Sequence, residues 1–508
     1  FHGIEIEDFS VELAILSMWI AKHQMNREFQ EQFGIAIPLI PLKETGQIHA
    51  GNAARIDWNE VCPNNGKDEI YLIGNPPYLG SSRQTKEQKE DFPFVFGDEK
   101  YSKKLDYVSL WVVKGAHYIE STNARLAFVT TNSITQGEHV ALLFPHVLKN
   151  GIEIGYAYSS FKWENNASKN AGVTVIVLSL QNESNQTKRI FSNGIASKVR
   201  EINPYLAEAK NVYAESRRKP ILNRLPQMVK GSQSTGAGHL IFDPSELTNL
   251  IHLHPVLKKF SKYFVGAEEY IDGNYRFCLW FSDSDLDTVG DIPEVQNAFA
   301  RIRQNRLASS KISTQKLAET PHKFGEIRYK PTDSIIVPSH SSERRKYIPM
   351  GYLGPDTVIS NSAFAIYDAK PWLFALLTSK MHMVWARAVG GQLETRLRYS
   401  NTIVYNNFPV PELSERQEQR LTELALRVLD VREYHCDKTL AQLYDPDLMP
   451  DNLRRAHHEI DMYVDSLYSK RKYETDEERL SALFAMYEEM VAAEEPAKPK
   501  KKTRKQKK

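Results

Sequence analysis

The sequence predicts an α/β domain over its first third, then a mixed α+β region, then a helical C-terminal region. Short apolar runs that stop at turn residues recur near 1–7, 48–58, 70–74, 125–133, 152–159 and 172–180, with helix-period segments among them. Beyond about residue 182 that alternation ends, and short β-like runs mix with turns as far as about 410. From 414 to 468, and again over 476–493, apolar residues return at helical spacing. The expected boundaries are therefore 1–182, a linker over 183–229, 230–411, 412–493, and a basic, disordered tail over 494–508.

Composition narrows the class. A chain of 508 residues is long enough for about three domains, and its 41% hydrophobic and 25% charged residues are ordinary for a folded protein. No run of ~18 apolar residues occurs, so no membrane span is expected, and the N-terminus carries no secretory pattern. Cys62, Cys278 and Cys436 are scattered, which suits neither a disulfide framework nor a zinc site. No metal is expected, and a reducing cytoplasm fits best. The net charge is only +2, yet residues 498–508 hold eight Lys/Arg and no acid, so the rest of the chain is net acidic. Any affinity for a polyanion must come from local basic patches or from that tail.

The first element is strand-like, Phe1-His-Gly-Ile-Glu-Ile-Glu7, and an apolar helix-period segment with Val11, Leu13, Ala14, Leu16, Met18 and Trp19 follows. In nucleotide-binding α/β domains an acid at the end of the second strand accepts hydrogen bonds from ribose hydroxyls, which makes Glu5, with Ile6 beside it, a candidate. Residues 48–58, Ile-His-Ala-Gly-Asn-Ala-Ala-Arg-Ile-Asp-Trp, read as a short strand ending in a polar turn. Ile70-Tyr-Leu-Ile-Gly74 reads as a buried parallel strand, and Asn75-Pro76-Pro77-Tyr78 as the loop at its carboxyl end, where open α/β sheets bind ligands. Consecutive prolines fix φ and lack N–H groups, so the Asn75 side chain and the Pro76 carbonyl become rigid acceptors. Two adjacent acceptors suit an –NH2 group, and Tyr78 adds a stacking face for a planar heterocycle. Together they describe a pocket for the exocyclic amine of a base taken out of its stack.

Residues 81–104 read as a polar loop whose Gln84, Lys86, Lys89, Lys100, Lys103 and Lys104 meet phosphate or plain solvent. An amphipathic helix over 105–119, a strand over 125–133, and strands at 152–159 and 172–180 follow, with an aromatic loop, Phe161-Lys-Trp-Glu-Asn-Asn-Ala167, between the last two. Residues 182–218 are polar, and Arg217-Arg218-Lys219-Pro220 reads as linker or phosphate-contact surface. Farther on, 264–270, 276–281, 334–337 and 357–360 look β-like. A helix over 294–316 carries Arg301, Arg303, Arg306, Lys311 and Lys316, and Arg344-Arg345-Lys346 forms a cluster. Such basic spacing suits phosphate neutralisation, with an ordinary exposed helix as the alternative. In 390–401, alternation along an extended strand puts Glu394, Arg396 and Arg398 on one face, followed by Tyr399. Glu accepts from and Arg donates to base edges in the major groove; a plain ion pair is the alternative.

Asn-Pro-Pro-Tyr at a strand end resembles the catalytic motif of the amino-group DNA methyltransferases. The resemblance implies a Rossmann-like methyltransferase sheet and S-adenosylmethionine as cofactor. It puts Asn75 and the Pro76 carbonyl on the target amine, with Pro77 completing the motif and Tyr78 stacked on a flipped adenine. Gly-Ile-Glu-Ile resembles the ribose-binding element, which gives Glu5 and Ile6 to the cofactor. An Asn or Asp after the next strand binds the cofactor adenine: Asn52 by position, with Asp57 as runner-up. Phe161 and Trp163 match the loop that supplies a second face for the flipped base, with core packing as the alternative. The glycine-rich loop of Phe-x-Gly-x-Gly type, which should precede Gly3, does not occur in the chain. The sheet is thus expected to be incomplete at its N-terminus, as a fragment of a longer polypeptide or with the loop supplied by another subunit.

Residues 265–411, including Arg398-Tyr-Ser-Asn-Thr-Ile-Val-Tyr-Asn-Asn-Phe-Pro409, resemble the recognition domain of the MmeI-like restriction-modification enzymes. That likeness extends from Gly3 to about Tyr468. It implies double-stranded DNA as partner, with Glu394 and Arg396 choosing one base of the target; Arg301, Arg303, Arg344, Arg345, Arg398 and Tyr399 are the further candidate DNA contacts. The helical region over 412–493 would brace that domain. Such relatives carry a nuclease ahead of these parts, so an upstream nuclease and cofactor-loop segment, in the same or another chain, is an expected partner. The expected activity is site-specific adenine methylation within a restriction-modification system of a bacterial or archaeal cytoplasm. The alternative is a catalytically incomplete DNA-binding specificity module.

Overall fold

In a computed structural model, residues 1–35, 47–163, 173–192, 194–222, 225–393 and 395–494 are described. Glu394, the basic tail and residues 164–172 after Trp163 lie outside them. The chain divides into two compact units, Phe1–Thr135 with His139–Tyr213, and Gln136–Glu138 with Ala214–Lys508.

Up to residue 213 the order is β1 (His2–Glu5), α1 (Asp8–Phe33), β2 (Gln47–Ala50), α2 (Trp58–Val61), β3 (Tyr71–Gly74), α3 (Lys86–Glu90), α4 (Phe92–Phe96), α5 (Ser109–Ile119), β4 (Arg125–Thr131), α6 (Gly137–Val147), β5 (Ile152–Trp163), β6 (Val173–Asn182), β7 (Lys188–Ser192) and β8 (Ile195–Val199). Six strands form one sheet in the order β3-β4-β6-β5-β7-β8. β3 runs parallel to β4, while β6 runs antiparallel to both β4 and β5. β1 and β2 pair in parallel as a separate two-stranded sheet.

The core of the first unit is the contact of α5 with β4 and β6. Leu110, Val112, Val113, Ala116 and Ile119 of α5 are all at most 2% exposed. At roughly 1.5–3 kcal/mol per buried aliphatic side chain, this one helix is a large part of the unit's stability. Close approach is possible because residue 115 is glycine: a Cβ there would sit 2.6 Å from Leu126 Cδ2.

Several expectations are corrected. β3 is parallel, as read, but not buried: it is an edge strand among the described residues, with Tyr71 60% and Ile73 84% exposed. α1 buries no residue and exposes Phe9, Leu13, Leu16 and Ile20. Residues 188–199, expected in a linker, form β7 and β8 and lengthen the sheet beside β5. The loop expected at Phe161 is strand, because β5 carries on through Trp163 after two register shifts, and both residues pair with β6. The polar stretch 81–104 holds α3 and α4.

Among its described residues the second unit contains three sheets. Gly351–Leu353, Ser334–Pro338, Ala363–Tyr367 and Met228–Lys230 pair antiparallel in that order. Ile241–Phe242, Arg276–Leu279, Ser261–Val265 and Thr357–Ile359 form a second sheet. His340–Ser341, Arg396–Arg398 and Gly391–Leu393 form a third, centred on a hairpin. The helix read over 294–316 is two, Pro293–Leu307 and Ile312–Lys316. At the C-terminal end Glu415–Tyr434, Asp451–Tyr468 and Asp476–Glu494 are helices, and the buried Arg479–Asp465 ion pair at 2.6 Å joins the last two. No helix among the described residues is long and apolar enough to cross a membrane.

Candidate active site

The loop leaving β3 is fixed by its two prolines at one end and by buried polar groups at the other. Pro76 is buried, Asn75 is exposed and Tyr78 is half-buried. The Asn75 carboxamide makes no hydrogen bond among the described residues, so it is free to receive a ligand. Leu79, which follows Tyr78, is held from three sides. Its N–H donates to Asp106 Oδ1 at 3.0 Å, while its carbonyl accepts from the Tyr107 N–H at 3.0 Å and from Gln84 Nε2 at 3.0 Å. Asp106 Oδ1 also accepts from the Val108 N–H at 3.1 Å, in the turn that leads into α5. Gln84, read above as a phosphate contact, is buried and spans the Leu79 and Leu105 carbonyls instead. The loop thus presents the Asn75 oxygen and the Pro76 carbonyl from a backbone that cannot easily move.

A second polar centre lies under the turn after β2. Buried Asp91 accepts from Tyr107 Oη at 2.5 Å, Arg55 Nε at 2.6 Å and Asn52 Nδ2 at 3.1 Å. Burial alone would raise the Asp91 carboxyl, but hydrogen bonds from Tyr107, Arg55 and Asn52 outweigh it and hold its pKa below the ordinary value. The Tyr107 hydroxyl is pushed far up by burial and by Asp91, so it stays protonated and donates. Asn52 Oδ1 accepts from the Ala54 N–H at 2.9 Å. Both ends of the Asn52 side chain are therefore engaged within the protein, and the turn's backbone is what it sets. Asp57, the other adenine candidate, caps α2 by accepting from the Asn59 N–H at 2.9 Å. Lys114 of α5 donates to the carbonyls of Ala53, Ala54 and Ile56. Glu5 ends β1 exposed and without a side-chain partner among the described residues, and Ile6 beside it is 67% exposed.

The aromatic candidates are placed differently from the expectation. Phe161 and Trp163 lie at the end of β5 with ring centroids 6.4 Å apart. Earlier on the same strand Tyr158 stacks on Phe191 of β7 at 4.3 Å. No contact among the described residues brings Phe161 or Trp163 to Asn75.

In the second unit, Arg396 and Arg398 are exposed on one face of their strand with Leu397 buried between them, as the alternation requires. His340 is opposite Arg398, and its pKa is lowered by burial first and then by Arg398, Arg396 and Lys230, which shows the positive charge gathered there. Tyr399 is not a surface contact: it is 2% exposed, with its hydroxyl 2.9 Å from Nε2 of buried His382. Arg301 and Arg303 are exposed, but Arg306 is fully buried and donates to the carbonyls of Ser234, Thr235, Leu317, Thr320 and Lys323. Arg344 is exposed and paired with Asp447 at 2.5 Å and Asp445 at 3.8 Å, and Arg345 is half-buried. No group of His, Cys, Asp or Glu that could hold a metal occurs among the described residues.

Sequence reading missed Asp91, Asp106, Tyr107 and Lys114. For Asp106, Tyr107 and Lys114 the available signal was charge inside an otherwise apolar stretch, Leu105-Asp-Tyr-Val-Ser-Leu-Trp-Val-Val-Lys114, since buried charges occur where partners await them.

Residues 1–192 match the family model for the MmeI DNA-methyltransferase domain, 208–412 the MmeI target recognition domain and 413–494 the MmeI C-terminal domain. A protein of Bacillus subtilis (strain 168) named DNA methyltransferase A is 44% identical over 493 residues, covering 97% of this chain and 56% of that protein. A solved structure of the Type IIL restriction-modification enzyme MmeI in complex with DNA aligns with a TM-score of 0.80 at 39% identity, over 97% of this chain and 66% of that one. The chain thus spans between about half and two thirds of the length of these relatives.

Proposed function

The chain belongs to the MmeI family, and from that premise we propose that it is the methyltransferase and target-recognition part of a restriction-modification enzyme, methylating the exocyclic amine of adenine in double-stranded DNA. The observation that carries this reading is the free Asn75 carboxamide on a loop braced by Asp106, Gln84 and Tyr107. Asn75 Oδ1 and the Pro76 carbonyl accept the two N–H groups of the amine, drawing its lone pair out of conjugation with the ring and toward attack. Tyr78 stacks on the extruded base, and Phe161 and Trp163 are the aromatics that would bound it from β5. The surplus proton of the amine passes to solvent water, since neither neutral carbonyl is a base, and no covalent enzyme intermediate is needed.

The chain's residues fit the nucleoside end of S-adenosylmethionine. Glu5 has an exposed, unpartnered carboxylate at a strand end, suited to ribose hydroxyls, with Ile6 beside it, and the turn at Asn52 offers a fixed backbone to an adenine edge. That cofactor, when bound, supplies an electrophilic methyl on a positively charged sulfur. Arg301, Arg303, Arg344, Arg345, Arg396 and Arg398 supply phosphate or base contacts, with Glu394 reading a base beside Arg396. The free edge of β3, the exposed apolar side chains of α1 and the separate β1–β2 pair favour completion of the site by a further segment. We assign to it the glycine-rich loop and, in the same or another chain, a nuclease. A bacterial or archaeal cytoplasm is the expected setting.

The test is transfer of a labelled methyl from S-adenosylmethionine to duplex DNA by the chain alone, by the chain with an upstream segment restored, and by the restored chain carrying Asn75→Ala. Label on adenine that depends on Asn75 supports the reading. Sequence-specific DNA binding with no transfer by any form would identify a specificity module instead.

A further inference from the structure

We propose that Lys114 is a positioning residue for the cofactor: its ammonium gathers three carbonyls of the turn after β2 and so sets the backbone that meets the adenine. The proposal rests on the reading of that turn as the cofactor's adenine site. Lys114 Nζ lies 3.0 Å from the Ala53 carbonyl, 3.0 Å from that of Ala54 and 2.5 Å from that of Ile56. An ammonium has three N–H donors and no acceptor, so three carbonyls saturate it. In a trans peptide the carbonyl of one residue and the N–H of the next point opposite ways. Turning the carbonyls of 53, 54 and 56 toward Lys114 therefore turns the N–H groups of 54, 55 and 57 away from it.

The other side of the turn agrees. Asn52 Oδ1 takes the Ala54 N–H at 2.9 Å and the Asn52 carbonyl takes the Arg55 N–H at 2.9 Å. The turn is thus held from two sides, by Asn52 within it and by Lys114 across 60 residues of sequence. Trp58 completes the seat: its Nε1–H donates to the Ala53 carbonyl at 2.9 Å, and its ring centroid is 5.6 Å from Nζ. Asp57 is the charged group that faces the ammonium, and burial, acting against it, brings the Lys114 pKa down to about 8. No carboxylate among the described residues bonds Lys114 directly, so its task is the backbone and not an ion pair.

The experiment compares wild type, Lys114→Met and Lys114→Arg, using the chain alone and the chain with the upstream segment restored. Hydrogen exchange of residues 52–58 is read against β4, and affinity for S-adenosylhomocysteine is read by calorimetry. The expected result is at least tenfold faster exchange in 52–58 with β4 unchanged, at least tenfold weaker S-adenosylhomocysteine binding in Lys114→Met, and partial recovery in Lys114→Arg. Wild-type protection of 52–58 in Lys114→Met overturns the proposal. If the wild type binds no S-adenosylhomocysteine in either form while Lys114→Met loosens the turn, the cofactor reading fails, and Lys114 is reduced to a structural clamp. Should Lys114→Met not fold, the pH series decides: affinity that weakens above pH ~8 in wild type but not in Lys114→Arg supports the role, and parallel profiles overturn it.

Discussion

Replacing Asp91 by alanine tests the network beneath the β2 turn. The carboxylate accepts from Tyr107 Oη, Arg55 Nε and Asn52 Nδ2 at 2.5, 2.6 and 3.1 Å, and its side chain is 3% accessible. Without it the Tyr107 hydroxyl, on a residue 6% exposed, has lost its acceptor, and so has the half-buried Asn52 amide. A buried group left unsatisfied costs about 1–3 kcal/mol, so the two together predict a loss of about 3 kcal/mol. Arg55 is partly exposed and can rehydrate, so it adds little. The loss should be read from native-state hydrogen exchange of α5 amides, which reports on the first unit alone, with urea unfolding in parallel. Tyr107→Phe alone should lose about 1 kcal/mol, and the double mutant should fall short of the sum because the two share one bond. The pH dependence has a definite sign. Asp91's folded pKa is depressed, so its contribution is present above the ordinary carboxylate range and is lost as pH falls through the lower folded value. An Asp91→Ala protein within ~1 kcal/mol of wild type, or strict additivity with Tyr107→Phe, would refute the reasoning.

Asn75→Ala should leave stability within ~0.5 kcal/mol of wild type, because the side chain is exposed and unpartnered, yet lower methyl transfer by at least ~100-fold in single-turnover assays. Arg306→Met should destabilise the second unit by roughly 3 kcal/mol in urea melts, since it leaves the carbonyls that Arg306 bonds without their donor. Arg301→Ala and Arg303→Ala, at exposed positions, should spare stability and each lower the salt slope of DNA binding by about 1 in fluorescence titrations. Burial holds His382 near a pKa of about 3 against an ordinary 6.5. Its contribution is therefore full above pH 6.5 and shrinks as pH falls toward 3, so calorimetric Tm should decline less steeply over that window in His382→Gln. Parallel Tm profiles would contradict it.

How far the fold could be read depended on whether a residue's partner was near in sequence. The strand-loop at 70–78 was legible because an apolar run, a glycine and two prolines each restrict the backbone locally. The Arg396–Arg398 face was legible from period-two alternation, and Leu397 is buried between them as that requires. Arg306 was misread because helical spacing says that it shares a surface with Arg303, while the carbonyls it serves come from segments 71 and 17 residues away. Tyr399 was misread for the same reason: its partner His382 belongs to the helix Lys380–Val389, which precedes the strand that Tyr399 follows. The extension of β5 through Phe161 and Trp163 escaped because its register shifts break the alternation that marks a strand. Asp91 was hidden most completely, since its three partners are at positions 52, 55 and 107.

The polar residues around α5 are where stability alone would favour apolar ones. A buried charge is at best weakly stabilising, because desolvation offsets most of what its partners return. Asp106, Tyr107 and Lys114 nevertheless all direct their bonds at backbone or polar groups of the turns that follow β2 and β3. Those turns lie beyond the reach of the sheet's own hydrogen bonds, so strand pairing cannot hold them. Apolar packing could not hold them either, since it is indifferent to where a carbonyl points. A catalytic loop whose Asn75 oxygen and Pro76 carbonyl must keep one spacing needs directional anchors, and those anchors must be buried to exclude competing water. Tyr107 holds the β3 loop directly, its N–H on the Leu79 carbonyl, and reaches the β2 turn through Asp91, which its hydroxyl shares with Asn52 and Arg55. A shift in the turn at Asn52 is therefore transmitted through Asp91 and Tyr107 to the loop that carries Asn75.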